Sequence, residues 1–143
     1  MARIMAVDYG QKRIGISVTD PLQIIAQGLT TVETKSIFVF LADYLKKESV
    51  CTIVVGYAKN ANNTDAESMQ YIKPFVEKLK NVYPNISIEY EDERYTSKLA
   101  VRTMIDAGVK KMDRRNKALI DQVSSTIILQ SYMERMSNLK KYL

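Results

Sequence analysis

Val50-Cys51-Thr52-Ile53-Val54-Val55-Gly56 is the segment that most restricts what this chain can fold into. It lacks the in–out alternation of a strand with one wet face, and β-branched side chains dominate it. Such a run predicts a central parallel strand buried on both sides, which requires helices on both faces of a sheet. Ile4 to Val7 is a shorter apolar run; Asp8-Tyr9-Gly10 breaks it, and Ile14 to Val18 resumes with β-branched residues. Residues 3–8 and 13–19 therefore read as a strand pair joined by the Asp8–Lys12 turn.

The remaining elements follow from periodicity and punctuation. A third strand is expected near Gly28–Glu33. Thr34 or Ser36 caps a helix over about 36–48, whose apolar stripe holds Ile37, Phe38, Phe40, Leu41, Tyr44 and Leu45. Tyr57 to Asn63 is polar and rich in asparagine, and reads as a loop. Thr64-Asp65-Ala66-Glu67 has the form of a capping box opening a helix to about Asn81, with Pro74 inside it. Ile86–Tyr90 alternates as a strand, and Glu91-Asp92-Glu93-Arg94 ends it. Thr96 or Ser97 caps a helix that Gly108 stops after Ala107, and Asp113 caps a last, long helix to about Met136. Strands alternating with helices after an opening meander imply an α/β fold with a mixed sheet, antiparallel at one edge. The 143 residues fit one domain, 1–143, around one core.

Composition removes several chemistries. The chain has no histidine, so Ser-His-Asp and Cys-His catalysis and His-ligated zinc are excluded. Its one cysteine, Cys51, lies in the apolar run, reads as a core residue and cannot form an intrachain disulfide. No apolar run approaches a membrane span, and strand-like sequence begins within three residues of the start, leaving no room for a signal peptide. A cytoplasmic protein with no membrane partner is the expectation. The net charge of +5 is concentrated: residues 1–97 carry a net −1 and residues 98–143 a net +6. A localised basic surface suits a polyanion, nucleic acid first, and equally a solvated helix face.

Against that basic background three acids stand out. Asp8 and Glu93 fall at the C-terminal ends of expected strands, the rim where open α/β sheets bind ligands. Asp121 lies on the last helix, in line with Ser124, Ser125 and Ile128 at helical spacing. A carboxylate there is unexpected unless it is compensated. Three converging acids without histidine suit a hard cation, Mg²⁺ or Mn²⁺, and such ions can activate a water on a phosphodiester. Each acid also has an ordinary reading. Asp8 can shape its turn. Glu93 can be one of four solvated acids with Glu89, Glu91 and Asp92, or pair with Arg94. Asp121 can pair with Lys117 one helical turn away. Lys12 and Arg13 flank the Asp8 tip as candidate phosphate contacts or loop surface charge; Arg94 and, in the basic last third, Arg114 and Arg115 join them as candidate nucleic-acid-binding residues. Gly10 and Gly15 match neither dinucleotide nor P-loop spacing and are explained by a turn and tight strand packing. Asn60, Asn62 and Asn63 read as turn formers, and Tyr44, Tyr71 and Tyr132 as core residues.

At these residues the chain resembles the YqgF (RuvX) family of Holliday-junction-resolvase-like proteins. The segments that carry the resemblance are Ala6-Val7-Asp8-Tyr9-Gly10 with Arg13-Ile14-Gly15, Ile53-Val54-Val55-Gly56, Asp92-Glu93-Arg94-Tyr95-Thr96-Ser97, and Ile120-Asp121-Gln122-Val123-Ser124-Ser125 with Ile127-Ile128-Leu129-Gln130. The resemblance implies a ribonuclease H-like fold, a five-stranded mixed sheet with helices on both faces. It implies a metal-dependent nuclease whose catalytic, metal-holding acids match Asp8, Glu93 and Asp121. It links the chain to maturation of the 5′ end of pre-16S ribosomal RNA, the favoured role, and to resolution of DNA junctions, which would need a homodimer rather than a monomer. Two features depart from the family: residues 57–63 lack the usual proline and glycine after Gly56, and Ser124-Ser125 replaces an Ala-Ala pair. Two other classes compete. A nucleotide-binding domain of the actin/sugar-kinase type shares the Asp-x-Gly hairpin but needs a second domain, and a non-catalytic nucleic-acid-binding module needs none of the acids.

Overall fold

The computed structural model describes residues 2–57, 69–92 and 116–140. Within them the chain runs β1 (Arg3–Tyr9), β2 (Arg13–Thr19), β3 (Ala26–Glu33), a 3₁₀ turn (Thr34–Ser36), α1 (Ile37–Lys47), β4 (Val50–Tyr57), α2 (Met69–Val82), β5 (Ser87–Asp92) and α3 (Lys117–Lys140). The five strands form one sheet in the order β3-β2-β1-β4-β5. β1 pairs antiparallel with β2 and parallel with β4, and β4 pairs parallel with β5. The expected mixed sheet is therefore observed, with β4 flanked on both sides.

Alternation along β1 sorts the two layers. Met5 and Val7, with Ile14, Ile16, Ile53 and Val55, pack against Ile37 and Leu41 of α1 and Ile72, Phe75, Val76 and Leu79 of α2. Ile4, Ala6 and Val54 face the other way and pack against Ile128, Leu129 and Tyr132 of α3. Each fully buried aliphatic or aromatic side chain contributes roughly 1.5–3 kcal/mol over leaving it in water.

Several local expectations are corrected. The last helix starts at Lys117 and is capped by Asn116, whose Oδ1 accepts the N–H groups of Ala118 (3.0 Å) and Leu119 (3.3 Å); it continues past Met136 to Lys140. Thr34 does not cap α1. Its Oγ1 donates to Gly10 O (2.6 Å) and its N–H to Lys12 O (3.0 Å), so it ties down the β1–β2 turn. β5 extends through Asp92, which pairs with Tyr57 of β4, and its acids are partnered rather than solvated. Glu91, with only 8% of its side chain exposed, accepts from Ser131 Oγ (2.9 Å) and Arg135 Nε (2.9 Å). Glu89 accepts from the Tyr132 hydroxyl, and burial together with that carboxylate raises the Tyr132 pKa. This cluster fastens the C-terminal half of α3 to the edge strand.

Cys51 is exposed, not core. The β1–β4 register steps from Arg3↔Val50 to Ile4↔Thr52, so Cys51 is the extra residue of a bulge and leaves the buried alternation. Tyr132 is buried as expected and Tyr44 partly so, but Tyr71 is exposed. Pro74 lies inside α2. The capping box at 64–67, the helix from Thr96 or Ser97 to Ala107, and Asp113 lie outside the described residues.

Candidate functional site

Asp8 is brought to the site by strand parity. It follows Ile4 and Ala6 at a two-residue period, so it shares their face of the sheet, the one covered by α3. Its partner across β2 is Gly15. A Cβ on Gly15 would overlap the main-chain carbonyl of Asp121 and lie 2.9 Å from the Asp121 Cβ. The absent side chain lets the α3 backbone rest directly on β2, so Asp121 sits over the Asp8–Gly15 pair. Two further bonds hold α3 in this register: Ser17 Oγ donates to Ser125 O (2.8 Å) and Thr31 Oγ1 donates to Ala118 O (2.7 Å). The small Ser124 and Ser125 are buried at this contact. Gly15 thus serves helix approach as well as strand packing. The Gly10 turn is tight in its own right, since a Cβ there would lie 2.5 Å from Arg13 O.

The result is a cavity of about 500 Å³ at the hairpin tip, lined by Asp8, Tyr9, Gly10, Gln11, Lys12, Arg13, Lys117 and Asp121. Arg13 Nε donates to Asp121 Oδ2 at 2.8 Å, with 37% of the arginine and 21% of the aspartate side chain exposed. The partner of Asp121 is therefore an arginine from β2 rather than Lys117 on its own helix. Lys117 instead adds a third cation to the cavity, a site residue that sequence reasoning treated only as a helical ion-pair partner. Two carboxylates and three cations on one rim can hold an anion's oxygens and a hard cation together.

Of the residues singled out in the sequence, the structure brings together Asp8, Lys12, Arg13 and Asp121. Glu93, Arg94, Arg114 and Arg115 lie outside the described residues, as do positions 58–63 of the divergent loop. Among the described residues no three histidine, cysteine, aspartate or glutamate side chains are grouped to hold a metal ion. The carboxylate oxygens of Asp8 and Asp121 are donors of the kind that hard divalent cations take. Among the described residues no helix is long and apolar enough to cross a membrane.

Known proteins similar to this chain match it over nearly its full length. The family profile described as "RuvX: Holliday junction resolvase" matches residues 2–135. A Bacteroides fragilis protein named "Putative pre-16S rRNA nuclease" is 56% identical over 134 residues, covering 94% of this chain and 97% of its own. A Phocaeicola vulgatus protein of the same name is 53% identical over 143 residues, covering 100% of both. Among solved structures, the fowlpox virus resolvase in complex with Holliday junction DNA superposes with a TM-score of 0.56 at 13% identity, covering 94% of this chain and 98% of its own. Thermus thermophilus RuvC with its junction substrate gives 0.54 at 14% identity, covering 95% and 96%. At such identities these two structures establish the ribonuclease H-like fold.

Proposed function

This chain belongs to the RuvX family, and from that premise we propose that the Asp8–Asp121 cavity is the centre of a metal-dependent nuclease that trims the 5′ end of pre-16S ribosomal RNA. The observation that carries the reading is the juxtaposition of Asp8 and Asp121 with Lys12, Arg13 and Lys117 around one rim cavity. The name borne by relatives more than half identical over nearly full length supports the RNA substrate.

In this reading Asp8 and Asp121, with Glu93 from outside the described residues, would hold Mg²⁺ or Mn²⁺. When bound, such an ion supplies an acidified water and neutralises charge developing on a phosphodiester, which removes the need for a histidine base. Lys12 and Lys117 grip the flanking phosphates. Arg13 fixes the Asp121 carboxylate through Oδ2. Arg94, Arg114 and Arg115, which lie outside the described residues, are further candidates for phosphate contacts in this reading. The whole of 1–143 acts as one domain, in the cytoplasm where the precursor is made.

The test is cleavage of a labelled 16S precursor leader in Mg²⁺ beside a four-way DNA junction. Metal-dependent cutting of the leader supports the assignment. Cutting of the junction alone transfers it to DNA, where paired incisions would require a dimer of this chain. Tight, salt-sensitive binding without cutting of either would leave a binding module.

A further inference from the structure

We propose that a second groove, on the opposite face of the sheet from Asp8, binds unpaired nucleotides of the same nucleic-acid strand, in a single-strand subsite that lies beside the nuclease centre. The proposal rests on the reading of that centre given above and deepens it.

The groove has a volume of about 450 Å³, and Tyr9, Lys35, Phe38, Tyr71, Phe75 and Lys78 are among the residues that line it. Three observations favour a nucleic-acid strand as its occupant. The first is continuity. Tyr9 follows Asp8 in β1 and points to the other face, yet it lines both the carboxylate cavity and this groove. Chain leaving Asp8 around the hairpin tip meets Tyr9 at the rim of the groove.

The second is aromatic surface: the core rings Tyr9, Phe38 and Phe75 line the groove, and Tyr71 adds an exposed one. Tyr9 and Phe75 lie 4.8 Å apart between centroids, and Phe38 and Phe75 5.9 Å. Phe75 is buried and forms the floor, whereas Tyr71, 42% exposed, stands open on the first turn of α2. An aromatic face beside a groove accepts any base by stacking.

The third is charge. Lys78 Nζ lies 4.4 Å from the centroid of Phe38, so one cation is already held against a ring. Lys35 also lines the groove; its exposed pairing with Glu33 (3.2 Å) is of the kind that a phosphate displaces readily. Rings and ammonium groups lining one groove suit the bases and phosphates of a single strand. An apolar peptide would use the rings and leave the two lysines without a role.

The experiment uses the full chain in EDTA, so that binding is read without cleavage. Fluorescence anisotropy compares a blunt RNA hairpin with the same hairpin carrying a single-stranded tail of about eight nucleotides, a length within the range one such groove can track. A DNA hairpin with the same tail runs in parallel to separate RNA from DNA as the source of the strand. Wild-type protein is expected to bind the tailed hairpins more tightly. Tyr71→Ala should weaken tailed binding about 5- to 150-fold, the worth of one stacked base, and leave blunt binding unchanged. Tyr71→Phe should restore it. Lys78→Gln should reduce the salt dependence of tailed binding by about one phosphate contact. Thermal melts confirm that each variant is folded. Equal binding of tailed and blunt hairpins by wild-type protein, or Tyr71→Ala binding tailed RNA as wild type does, would overturn the subsite. Either result leaves the nuclease centre standing, because cleavage in Mg²⁺ is measured separately. Conversely, tail-dependent binding without any cleavage would support the groove and refute the nuclease reading alone.

Discussion

Gly15→Ala is the substitution whose effect follows most directly from the geometry. The added methyl would overlap the Asp121 carbonyl and meet the Asp121 Cβ at 2.9 Å. Ordinary carbon contacts need about 3.5–4.0 Å, so α3 must withdraw from β2 by roughly 1 Å. Backbone lies on both sides of this contact, leaving no side-chain rotamer to absorb the strain. The cost should therefore fall at the upper end of the overpacking range, about 3 kcal/mol. For a chain of this size that lowers Tm by roughly 10 °C. The same withdrawal displaces Asp121 from Asp8, and a misplacement of about 1 Å is enough to cost on the order of 10²-fold in rate. Gly28→Ala is the internal control. Its Cβ would lie 3.5 Å from Thr126 Oγ1 on the same helix, an ordinary contact, and the variant should be near neutral. Thermal unfolding and Mg²⁺-dependent cleavage, measured well below both melting temperatures, read the two effects. Wild-type Tm and rate in Gly15→Ala would refute the claim that this glycine sets the Asp8–Asp121 approach.

Three other outcomes are expected. Ser124 Oγ is buried with no hydrogen-bond partner among the described residues; Ser124→Ala should stabilise the protein by about 1 kcal/mol in denaturant unfolding, and a loss of stability would show that the hydroxyl is bonded. Glu91→Ala removes the carboxylate that holds Arg135 and Ser131, but Arg135 is half exposed and can turn to water, so the loss should be about 2 kcal/mol; an unchanged denaturant midpoint would rule out the β5–α3 fastening. Asp20 accepts N–H bonds from Ile25 (2.7 Å), Ile24 (2.8 Å) and Leu22 (3.1 Å), and these, Ile25 foremost, hold its pKa below the ordinary 3.8. Its contribution to the β2–β3 turn is thus complete above pH 3.8 and lost as pH falls through the lowered folded value; the advantage of wild type over Asp20→Ala in turn hydrogen-exchange protection should shrink over that window, and a constant difference would contradict the assignment.

What could be read from the chain beforehand was whatever short-range pattern encodes. The β-branched run at 50–56 specified a doubly covered strand, and Asp8 was visible because an acid ended an apolar strand. The features that escaped depend on partners distant in sequence. Glu91 looked solvated among neighbouring acids because Ser131 and Arg135, which hold it, lie 40 and 44 residues away. The Arg13–Asp121 pair spans 108 residues, so a local rule offers only Lys117 as an ordinary partner for Asp121 and leaves Lys117 out of the site. Cys51 appeared core because a bulge, which shifts the alternation by one residue, has no signature inside a continuous apolar run. Asn116 and Asp113 are both good caps, and periodicity does not choose between them when helix ends are ambiguous by a turn.

The central claim is that Asp8 and Asp121 together run a metal-dependent cleavage. It is tested most directly by measuring cleavage of the labelled 16S precursor leader in Mg²⁺ by wild type, Asp8→Asn and Asp121→Asn, with metal-free binding of the same RNA in parallel. The account predicts that both variants fall to background cleavage while binding is retained or strengthened, since each loses a negative charge beside the phosphates. Cleavage by Asp8→Asn at the wild-type rate would contradict it.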